Sequence, residues 1–199
     1  MTGQDGAKRI KMRETNQLFH CFRKTPFGWV AVLWSIHEEQ PKISRTLIST
    51  PKESARQIVQ RSFPDYTPSS CAEVDVVADR IAAFLTGEDI RFSLDMARLD
   101  LCSGFQQKVL RAEHGIPRGR VSTYLRIARH LNHANAARAV GTALATNPFP
   151  IIIPCHRAIR SDGTLGGYQG GLEMKRALLE MEGILFDGSG RVVAGELYY

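Results

Sequence analysis

Three prolines surround a short apolar run that ends beside a cysteine and a histidine, and this run constrains the fold more than any other feature. The segment Asn147–Arg157 reads NPFPIIIPCHR. Proline fixes its own φ angle and removes a backbone N–H donor, so this stretch of backbone is held stiffly. It therefore presents Cys155 at a defined point, directly after a buried, strand-like segment. Rigid presentation suits a nucleophile, and the adjacent His156 is a candidate base.

The chemistry open to Cys155 depends on its protonation state. A cysteine attacks as the thiolate, and a free thiol has a pKa of about 8.5, so reaction at neutral pH needs a lowered pKa or a nearby base. An isolated cysteine after Ile-Ile-Ile-Pro is also typical of an inert core thiol. Zinc is disfavoured, because no second Cys or His follows at ligand spacing and His20 beside Cys21 makes only half a site. We expect no metal and no cofactor.

A glycine-rich loop and a helix follow the proline-rich segment. Ser161–Gly171 contains five glycines, which allow the backbone to approach a flat ligand closely. The Lys-Ser/Thr pair of a phosphate-binding loop is missing. Leu172–Met181 is predicted as a helix that ends at Gly183. Glu182 lies at its C-terminal end, where the helix dipole disfavours an exposed carboxylate, so a buried role as partner of His156 explains it better; an exposed glutamate is the alternative.

Composition limits the class of protein. The chain has 199 residues, 43% of them apolar and 23% charged, as in a globular protein. No apolar run approaches the ~18 residues of a membrane span, so we expect no membrane partner. The N-terminus lacks the apolar core of a secretory signal, so we expect a cytoplasmic protein, or a nuclear one in a eukaryote. The four scattered cysteines are interpreted as thiols, and the net charge of +6 favours polyanions as partners.

The character of the sequence changes near residue 101. We expect a basic extension over 1–16, an α/β domain over 17–101, a mostly helical domain over 102–185 and a tail over 186–199. The α/β domain is predicted to begin with a hairpin whose turn is Thr25–Gly28. Its other predicted elements are a strand over Arg45–Ser49, a helix from Pro51 to Phe63, a helix over Ala72–Thr86 and a strand over Ile90–Leu94.

Two short helices in the second part are separated by a tight turn at Asn132-His133. The first starts near Thr123, which can cap it, and the second runs from about Asn135 to Ala145. Such a pair is typical of a helix-turn-helix, and an αα-hairpin in a core is the alternative. Arg138 is the single charged side chain of the second helix, among small residues that suit a shallow approach to sugars and bases. A lone surface arginine on an alanine-rich helix, which is a common feature, is the alternative.

The stretch from Phe105 to Gly183 resembles the O6-alkylguanine-DNA alkyltransferases, repair proteins that take an alkyl group from damaged guanine onto their own cysteine. Residues 17–101 are similar to the family's variable N-terminal domain only in layout. The resemblance implies an α+β fold, in which an N-terminal α/β domain of ribonuclease H-like layout precedes a mostly helical C-terminal domain with a helix-turn-helix. It rests on several blocks in the right order: Phe105-Gln106, Thr123-Tyr124, Ala136–Gly141, Asn147-Pro148, Pro154–Arg157, Gly167-Tyr168 with Gly170-Gly171, and Glu182-Gly183.

The resemblance implies a catalytic set. Cys155 would be the nucleophile and alkyl acceptor, and a bound water would link its thiol to His156, which is hydrogen-bonded to Glu182. Tyr124 would donate a proton or hydrogen bond to N3 of the guanine and so improve the leaving group. The thioether is stable, so transfer from O6-alkylguanine, and also from O4-alkylthymine, would be irreversible and stoichiometric.

The resemblance also implies how DNA is recognised. The partner would be double-stranded DNA, approached through the minor groove by a monomer that can cluster on it. The alkylated nucleotide would rotate out of the duplex, and Arg138 would fill the gap that it leaves. The small residues of the same helix would form the minor-groove face, with Thr123 close to the DNA: Ala136, Ala137, Ala139 and Gly141.

A guanine pocket and its supports are implied as well. Tyr168 and the backbone of Ala158, Gln169 and Cys155 would line the pocket, with carbonyl groups facing the exocyclic amine and an amide facing O6. Leu165 and Gly166 would lie at its rim. Two further residues would support the local structure: Asn147, which would brace the turn, and Arg157.

Two other functions were weighed against alkyl transfer. A non-catalytic protein that binds alkylguanine lesions would have the same fold, but such relatives carry tryptophan at the cysteine position, which argues for Cys155 as a reactive group. A transcription regulator would use the helix-turn-helix alone and give no reason for the Cys-His-Glu set. The alkylation-response regulators of this family add a cysteine-rich zinc domain that this sequence lacks.

Overall fold

The structure is a computed structural model that describes residues 17–193, 195 and 197–199. This part of the chain begins with a β-hairpin. The expected basic extension over 1–16 lies outside these residues. Strands β1 (Leu18–Thr25) and β2 (Gly28–His37) are antiparallel and joined by a two-residue turn, Pro26-Phe27. Gly28 has φ +95°, a left-handed value that glycine adopts without strain. The predicted hairpin is therefore confirmed.

The sheet has two more strands, and one strand prediction is wrong. β3 (Gln40–Ile48) starts before the expected Arg45, and β4 (Tyr66–Pro68), which the sequence did not indicate, runs parallel to β1. The strand order is β3-β2-β1-β4. No strand forms over Ile90–Leu94. Its apolar residues indicated a strand, but this segment buries Phe92 against the Phe84 ring and its backbone forms no ladder.

Two helices lie beside this sheet. α1 (Ala55–Ser62) begins four residues after the expected Pro51, because Ser54 and Gln57 form a reciprocal capping box that fixes the first turn. α2 (Ala72–Phe84) starts where predicted and ends two residues before Thr86. The helix ends thus follow the local hydrogen bonds of the caps rather than the position of proline.

The second part contributes four helices: α3 (Gly104–Gly115), α4 (Tyr124–His130), α5 (Ala137–Ala145) and α6 (Gly171–Met181). Thr123 caps α4 by accepting a hydrogen bond from the backbone N–H of Arg126, as predicted. Asn132 has φ +60° in the tight turn between α4 and α5. α5 begins two residues later than expected. The chain is thus a mixed α+β protein.

One hydrophobic core contains residues of both parts, including Trp34, Ile43, Leu110 and Phe149. Thr46 of β3 ties the sheet to the proline-rich segment, because its backbone N–H and its hydroxyl donate to the carbonyl oxygens of Pro148 and Pro150, at 2.8 Å and 2.9 Å. The boundary near residue 101 stays a prediction. In the part of the chain described here, no helix has both the length and the apolar character to cross a bilayer.

Two small sheets complete the fold. β5 (Ser122–Thr123) pairs in parallel with β6 (Ala158–Ile159). β7 (Leu185–Phe186) and β8 (Val192–Val193) are antiparallel. The β5–β6 pair matters for the site, because it sets the start of α4 beside the backbone that follows Cys155.

Candidate active site

Asn147 braces the turn that carries Cys155. Its side chain is 1% exposed, donates to the carbonyl oxygen of Ile153 at 3.1 Å and accepts from the N–H of Phe149 at 2.9 Å. These bonds close the proline-rich turn, in which Ile151 has the left-handed φ of +75° that a β-branched residue rarely adopts. The turn leads directly into a short 3₁₀ helix, Cys155–Arg157.

His156, Glu182 and Arg157 form a buried hydrogen-bonded set. His156 Nε2 lies 2.9 Å from Glu182 Oε1. Arg157 Nε donates to Oε2 at 2.9 Å and its Nη2 to Oε1 at 2.8 Å, while its Nη1 donates to the carbonyl oxygen of Ile116. The expected partnership of His156 with Glu182 is thus present in the structure. The arginine clamp on the same carboxylate was not anticipated.

Burial, more than any neighbouring charge, keeps His156 neutral. Burial alone would raise the pKa of Glu182, but the hydrogen bonds and positive charge of its partners outweigh burial and lower that pKa to about 2. Burial lowers the pKa of His156, and the neighbouring Arg157 charge lowers it further, although Glu182 opposes the shift. Because its pKa lies below the usual 6.5, His156 is a neutral imidazole at neutral pH and is able to accept a proton.

Burial disfavours ionisation of the Cys155 thiol. Cys155 is 5% exposed, and burial raises its pKa to about 11, although a hydrogen bond with the Asn147 side chain lowers it in part. Nδ1 of His156 and the hydroxyl of Tyr168 are both buried without a hydrogen-bond partner among the described residues. The two rings meet edge to face, with centroids 6.4 Å apart. Two unpaired polar atoms are therefore buried on neighbouring rings, and the one on Tyr168 interacts electrostatically with Cys155.

Tyr124 lies close to the backbone of Gly166 in the glycine-rich loop, with Gly141 at an ordinary contact distance. A Cβ atom at Gly166, whose φ is +68°, would lie 2.7 Å from the Tyr124 hydroxyl oxygen, and one at Gly141 would lie 4.0 Å from the ring. Only glycine lets the loop approach the phenol this closely. Burial raises the pKa of Tyr124 to about 12, so its hydroxyl keeps its proton at neutral pH.

The other predicted pocket residues lie on the loop and strand around Cys155. Gln169 donates to the carbonyl oxygens of Ala145 and Asn147, at 3.1 Å and 2.8 Å, which ties the glycine-rich loop to the end of α5. Leu165 and Tyr168 are partly exposed, whereas Ala158 is fully buried. The carbonyl oxygen of Ala158 accepts from Lys175 Nζ at 2.6 Å, a contact that sequence reasoning missed.

The predicted DNA-facing residues of α5 lie on its open side. Arg138 and Ala139 are exposed, and Ala136, Ala137 and Gly141 are partly exposed. Thr123 differs from them, because it is only 3% exposed and its hydroxyl caps α4. Its nearness to DNA stays a prediction, and its visible contact is the cap.

Two buried ionisable residues, Lys175 and Glu113, were not identified from the sequence. Both are 0% exposed. Helical spacing indicates the burial of each. Lys175 lies four residues before the buried Leu179 on α6, and Glu113 lies four residues after the buried Val109 on α3. Helical periodicity therefore places both on core-facing sides. Among the described residues, no group of three or more His, Cys, Asp or Glu side chains could hold a metal ion.

Comparisons with known proteins agree on one class. A family model described as the DNA-binding domain of 6-O-methylguanine DNA methyltransferase matches residues 104–184. A methylated-DNA–protein-cysteine methyltransferase of Methanothermobacter thermautotrophicus is 44% identical over 110 residues, which are 55% of this chain and 61% of that protein. The protein of the same name from Salmonella typhimurium is 32% identical over 166 residues, which are 81% of this chain and 93% of that protein.

A solved structure extends the similarity to the N-terminal part. The crystal structure of Mycobacterium tuberculosis OGT in complex with DNA aligns with a TM-score of 0.66 and 33% identity. The alignment covers 82% of this chain and 92% of that one. An alignment of this length extends well beyond the residues that the family model matches, into the N-terminal part.

Proposed function

The chain belongs to the methylated-DNA–protein-cysteine methyltransferase family, and on that premise we propose that it repairs DNA directly by moving the alkyl group of O6-alkylguanine onto its own Cys155. The observation that carries this assignment is the buried set in which His156, next to the cysteine, is bonded to Glu182 at 2.9 Å. A merely structural cysteine would need no neutral, oriented imidazole beside it. O4-alkylthymine offers a similar leaving group and is proposed as a second substrate.

The first step that we propose is activation of the thiol. Cys155 is a protonated thiol at neutral pH, because burial raises its pKa to about 11. His156 accepts the thiol proton at Nδ1 through a bridging water molecule, while Glu182 holds the ring through Nε2 and stabilises the imidazolium that forms. A thiol that becomes a thiolate only when a base removes its proton is protected from side reactions.

The second step is displacement at the alkyl carbon. The sulfur forms a bond to the carbon as the bond from that carbon to O6 breaks, and the electron pair of the broken bond stays on guanine. Tyr124 donates to N3, where negative charge collects, and improves the leaving group. The imidazolium of His156 then gives up the proton that it took from the thiol, and the guanine anion gains one, so over the whole reaction the thiol proton moves to the repaired base. The product is a thioether at Cys155, and each molecule acts once.

The DNA partner is proposed to bind α4 and α5 as a helix-turn-helix that enters the minor groove. The small residues of α5 allow close approach, and Arg138 fills the gap left by a nucleotide that has rotated into the site. Exposure of Arg138 on α5 supports this role. We propose that the protein binds as a monomer that can cluster, in the cytoplasm or in the nucleus of a eukaryote.

The remaining predicted residues support this arrangement. We propose that Tyr168 and the backbone of Ala158, Gln169 and Cys155 recognise guanine, with Leu165 and Gly166 at the rim. The N-terminal sheet is proposed to have a ribonuclease H-like layout, which its order β3-β2-β1-β4 with a parallel β4 supports. Its contacts through Thr46 brace the turn that carries the nucleophile.

Stoichiometry tests the proposal. A duplex with a single O6-methylguanine is titrated with protein, and the lesion that remains is quantified after digestion of the DNA. We expect repair to stop at one lesion per molecule, with Cys155→Ser inactive and a lesion-free duplex as the matched control. Many lesions repaired per molecule would contradict self-alkylation. Selective lesion binding without repair would assign the chain to the non-catalytic recognition proteins.

A further inference from the structure

Three residues near the end of the sequence lie against β5 and α4 and take no part in the proposed mechanism. The backbone N–H of Tyr198 donates to the carbonyl oxygen of Val121 at 2.9 Å, and Ser122 Oγ donates to the carbonyl oxygen of Tyr198 at 2.7 Å. Leu197 packs against the hydrophobic cluster that contains Val121. We call Leu197–Tyr199 the strap, because hydrogen bonds and apolar contacts hold it along the strand.

The strap also holds α4. The ring of Tyr199 stacks on that of His130, with centroids 3.8 Å apart, and Arg126 Nη1 donates to the carbonyl oxygens of Leu197 and Tyr199. The hydroxyl of Tyr199 donates to the carbonyl oxygen of Ala112 on α3 at 2.8 Å. The side chain of Tyr199 therefore joins α3 to α4.

These contacts lie on both sides of Tyr124 in the sequence. Two residues bonded to the strap precede Tyr124, and two that contact it follow on α4: Val121, Ser122, Arg126 and His130. α4 has only seven residues, and a helix of that length is not stable by itself in water, so packing against other elements sets its position. The position of the Tyr124 backbone therefore depends on the strap as well as on β6, which pairs with β5.

The proposed role of Tyr124 demands a precise position. Its hydroxyl must come within about 2.6–3.2 Å of N3 of the guanine to donate to it in the reaction. A misplacement of about 1 Å can slow a reaction by about 100-fold, even when its cause lies far from the reacting atoms. Contacts that fix the start of α4 therefore bear directly on how well the phenol improves the leaving group.

We propose that Tyr199 is a positioning residue for alkyl transfer, which holds the start of α4 so that Tyr124 meets N3 of the guanine. The contacts of Tyr199 are with α3 and α4, so its effect reaches the reaction through Tyr124. This inference rests on the proposed function, because it concerns the leaving group of the same reaction.

The test uses a substrate analogue that lacks N3. Methyl transfer is measured for a duplex with O6-methylguanine and for the same duplex with 3-deaza-O6-methylguanine, in which a C–H group replaces N3. Single-turnover rates at saturating duplex exclude effects on DNA affinity. An effect that passes through the bond between Tyr124 and N3 must disappear with the analogue, whereas a general structural defect slows transfer from both duplexes alike.

Two substitutions release the strap at different points. Tyr199→Ala removes the ring that stacks on His130 and the hydrogen bond to α3, and Ser122→Ala removes the hydroxyl that joins β5 to the strap. Tyr199→Phe keeps the ring and loses only its hydroxyl. The exposed Leu185→Ala on β7 is the matched control.

We expect Tyr199→Ala and Ser122→Ala to transfer methyl from O6-methylguanine about tenfold more slowly than the control. With the 3-deaza duplex, their rates should agree with that of the control within about twofold. Tyr199→Phe should lie between wild type and Tyr199→Ala, because the stacked ring remains. Adding Tyr199→Ala to Tyr124→Phe should slow transfer no further, since two changes that act through one contact are not additive.

Other results would overturn the proposal. Equal slowing on both duplexes would leave Tyr199 a structural residue, and unchanged or faster transfer from O6-methylguanine would show that the strap does not assist the reaction. A wild-type protein that uses both duplexes equally well would show that the bond to N3 contributes nothing. If Tyr199→Ala fails to fold, Ser122→Ala gives the same comparison. Failure of the wild-type protein to alkylate itself with the O6-methylguanine duplex would instead overturn the proposed function.

Discussion

Arg157 holds Glu182 through two parallel hydrogen bonds, Nε to Oε2 at 2.9 Å and Nη2 to Oε1 at 2.8 Å. This bidentate contact fixes the orientation of the carboxylate, and His156 Nε2 lies 2.9 Å from Oε1. The arginine thus orients the glutamate, and the glutamate orients the imidazole. The hydrogen bonds and the positive charge of Arg157 also contribute to the lowered pKa of Glu182.

This clamp makes stability depend on pH in acid. The folded protein lowers the pKa of Glu182 from 4.5 to about 2, so its stabilising contribution is present above about pH 4.5 and is lost as the pH falls toward 2. In urea unfolding, we expect wild type to lose on the order of 3 kcal/mol more than Glu182→Gln over that range. Equal losses in the two proteins would show that the pKa of Glu182 is not lowered by folding.

Glu113 makes stability depend on pH in the opposite direction to Glu182. Burial raises its pKa from 4.5 to about 8 in the folded protein, so its contribution is most favourable below about pH 4.5 and is lost as the pH rises through 8. We expect Glu113→Leu to gain on the order of 4 kcal/mol relative to wild type between about pH 5 and about pH 8. Urea unfolding at both pH values measures this gain, and a constant difference would refute the raised pKa.

Substitution of Arg138 should slow the repair of duplex DNA but not the alkyl transfer step itself. Arg138→Ala is expected to slow repair of a duplex by about tenfold or more, because no side chain then fills the gap left by the rotated nucleotide. Reaction with free O6-benzylguanine needs no rotation and should keep its rate. Rate measurements on both substrates test this, with the exposed Arg61→Ala on α1 as control. Equal slowing on the two substrates would contradict the role.

Salt should weaken DNA binding. The chain carries a net charge of +6, and each phosphate that it neutralises releases a condensed counterion. The logarithm of the association constant should therefore fall linearly with the logarithm of salt concentration, with a slope of roughly −0.9 per phosphate contact. Fluorescence anisotropy with a labelled duplex gives the slope. Binding that is independent of salt would count against a DNA surface on α4 and α5.

Local signals predicted some elements and missed others. The hairpin turn and the cap at Thr123 depend on neighbouring residues, and both were predicted correctly. β4 was missed because a three-residue parallel strand is defined by its partner β1, which lies far away in the sequence. The strand expected at Ile90–Leu94 was wrong for a related reason, since apolar residues in a short run indicate burial but not ladder pairing.

The candidate site also combines features with a local sequence signal and features that depend on long-range packing. The pairing of His156 with Glu182 was inferred from a carboxylate at an unfavourable helix end, which is a local signal. Two contacts depend on how β5, β6 and α6 pack together: the hydrogen bonds of Arg157 to Glu182, and that of Lys175 to the carbonyl oxygen of Ala158. No spacing in the sequence indicates this packing. Burial of Glu113 could be predicted from helical periodicity, because it lies four residues after the buried Val109 on α3.

The measurement that tests the central claim most directly is the mass of the intact protein before and after incubation with a duplex that contains O6-methylguanine, followed by peptide mapping. We expect a single added methyl group, located on Cys155 and absent in Cys155→Ser, which should still bind the duplex. A methyl group on another residue, or no change in mass together with loss of the lesion, would contradict Cys155 as the acceptor.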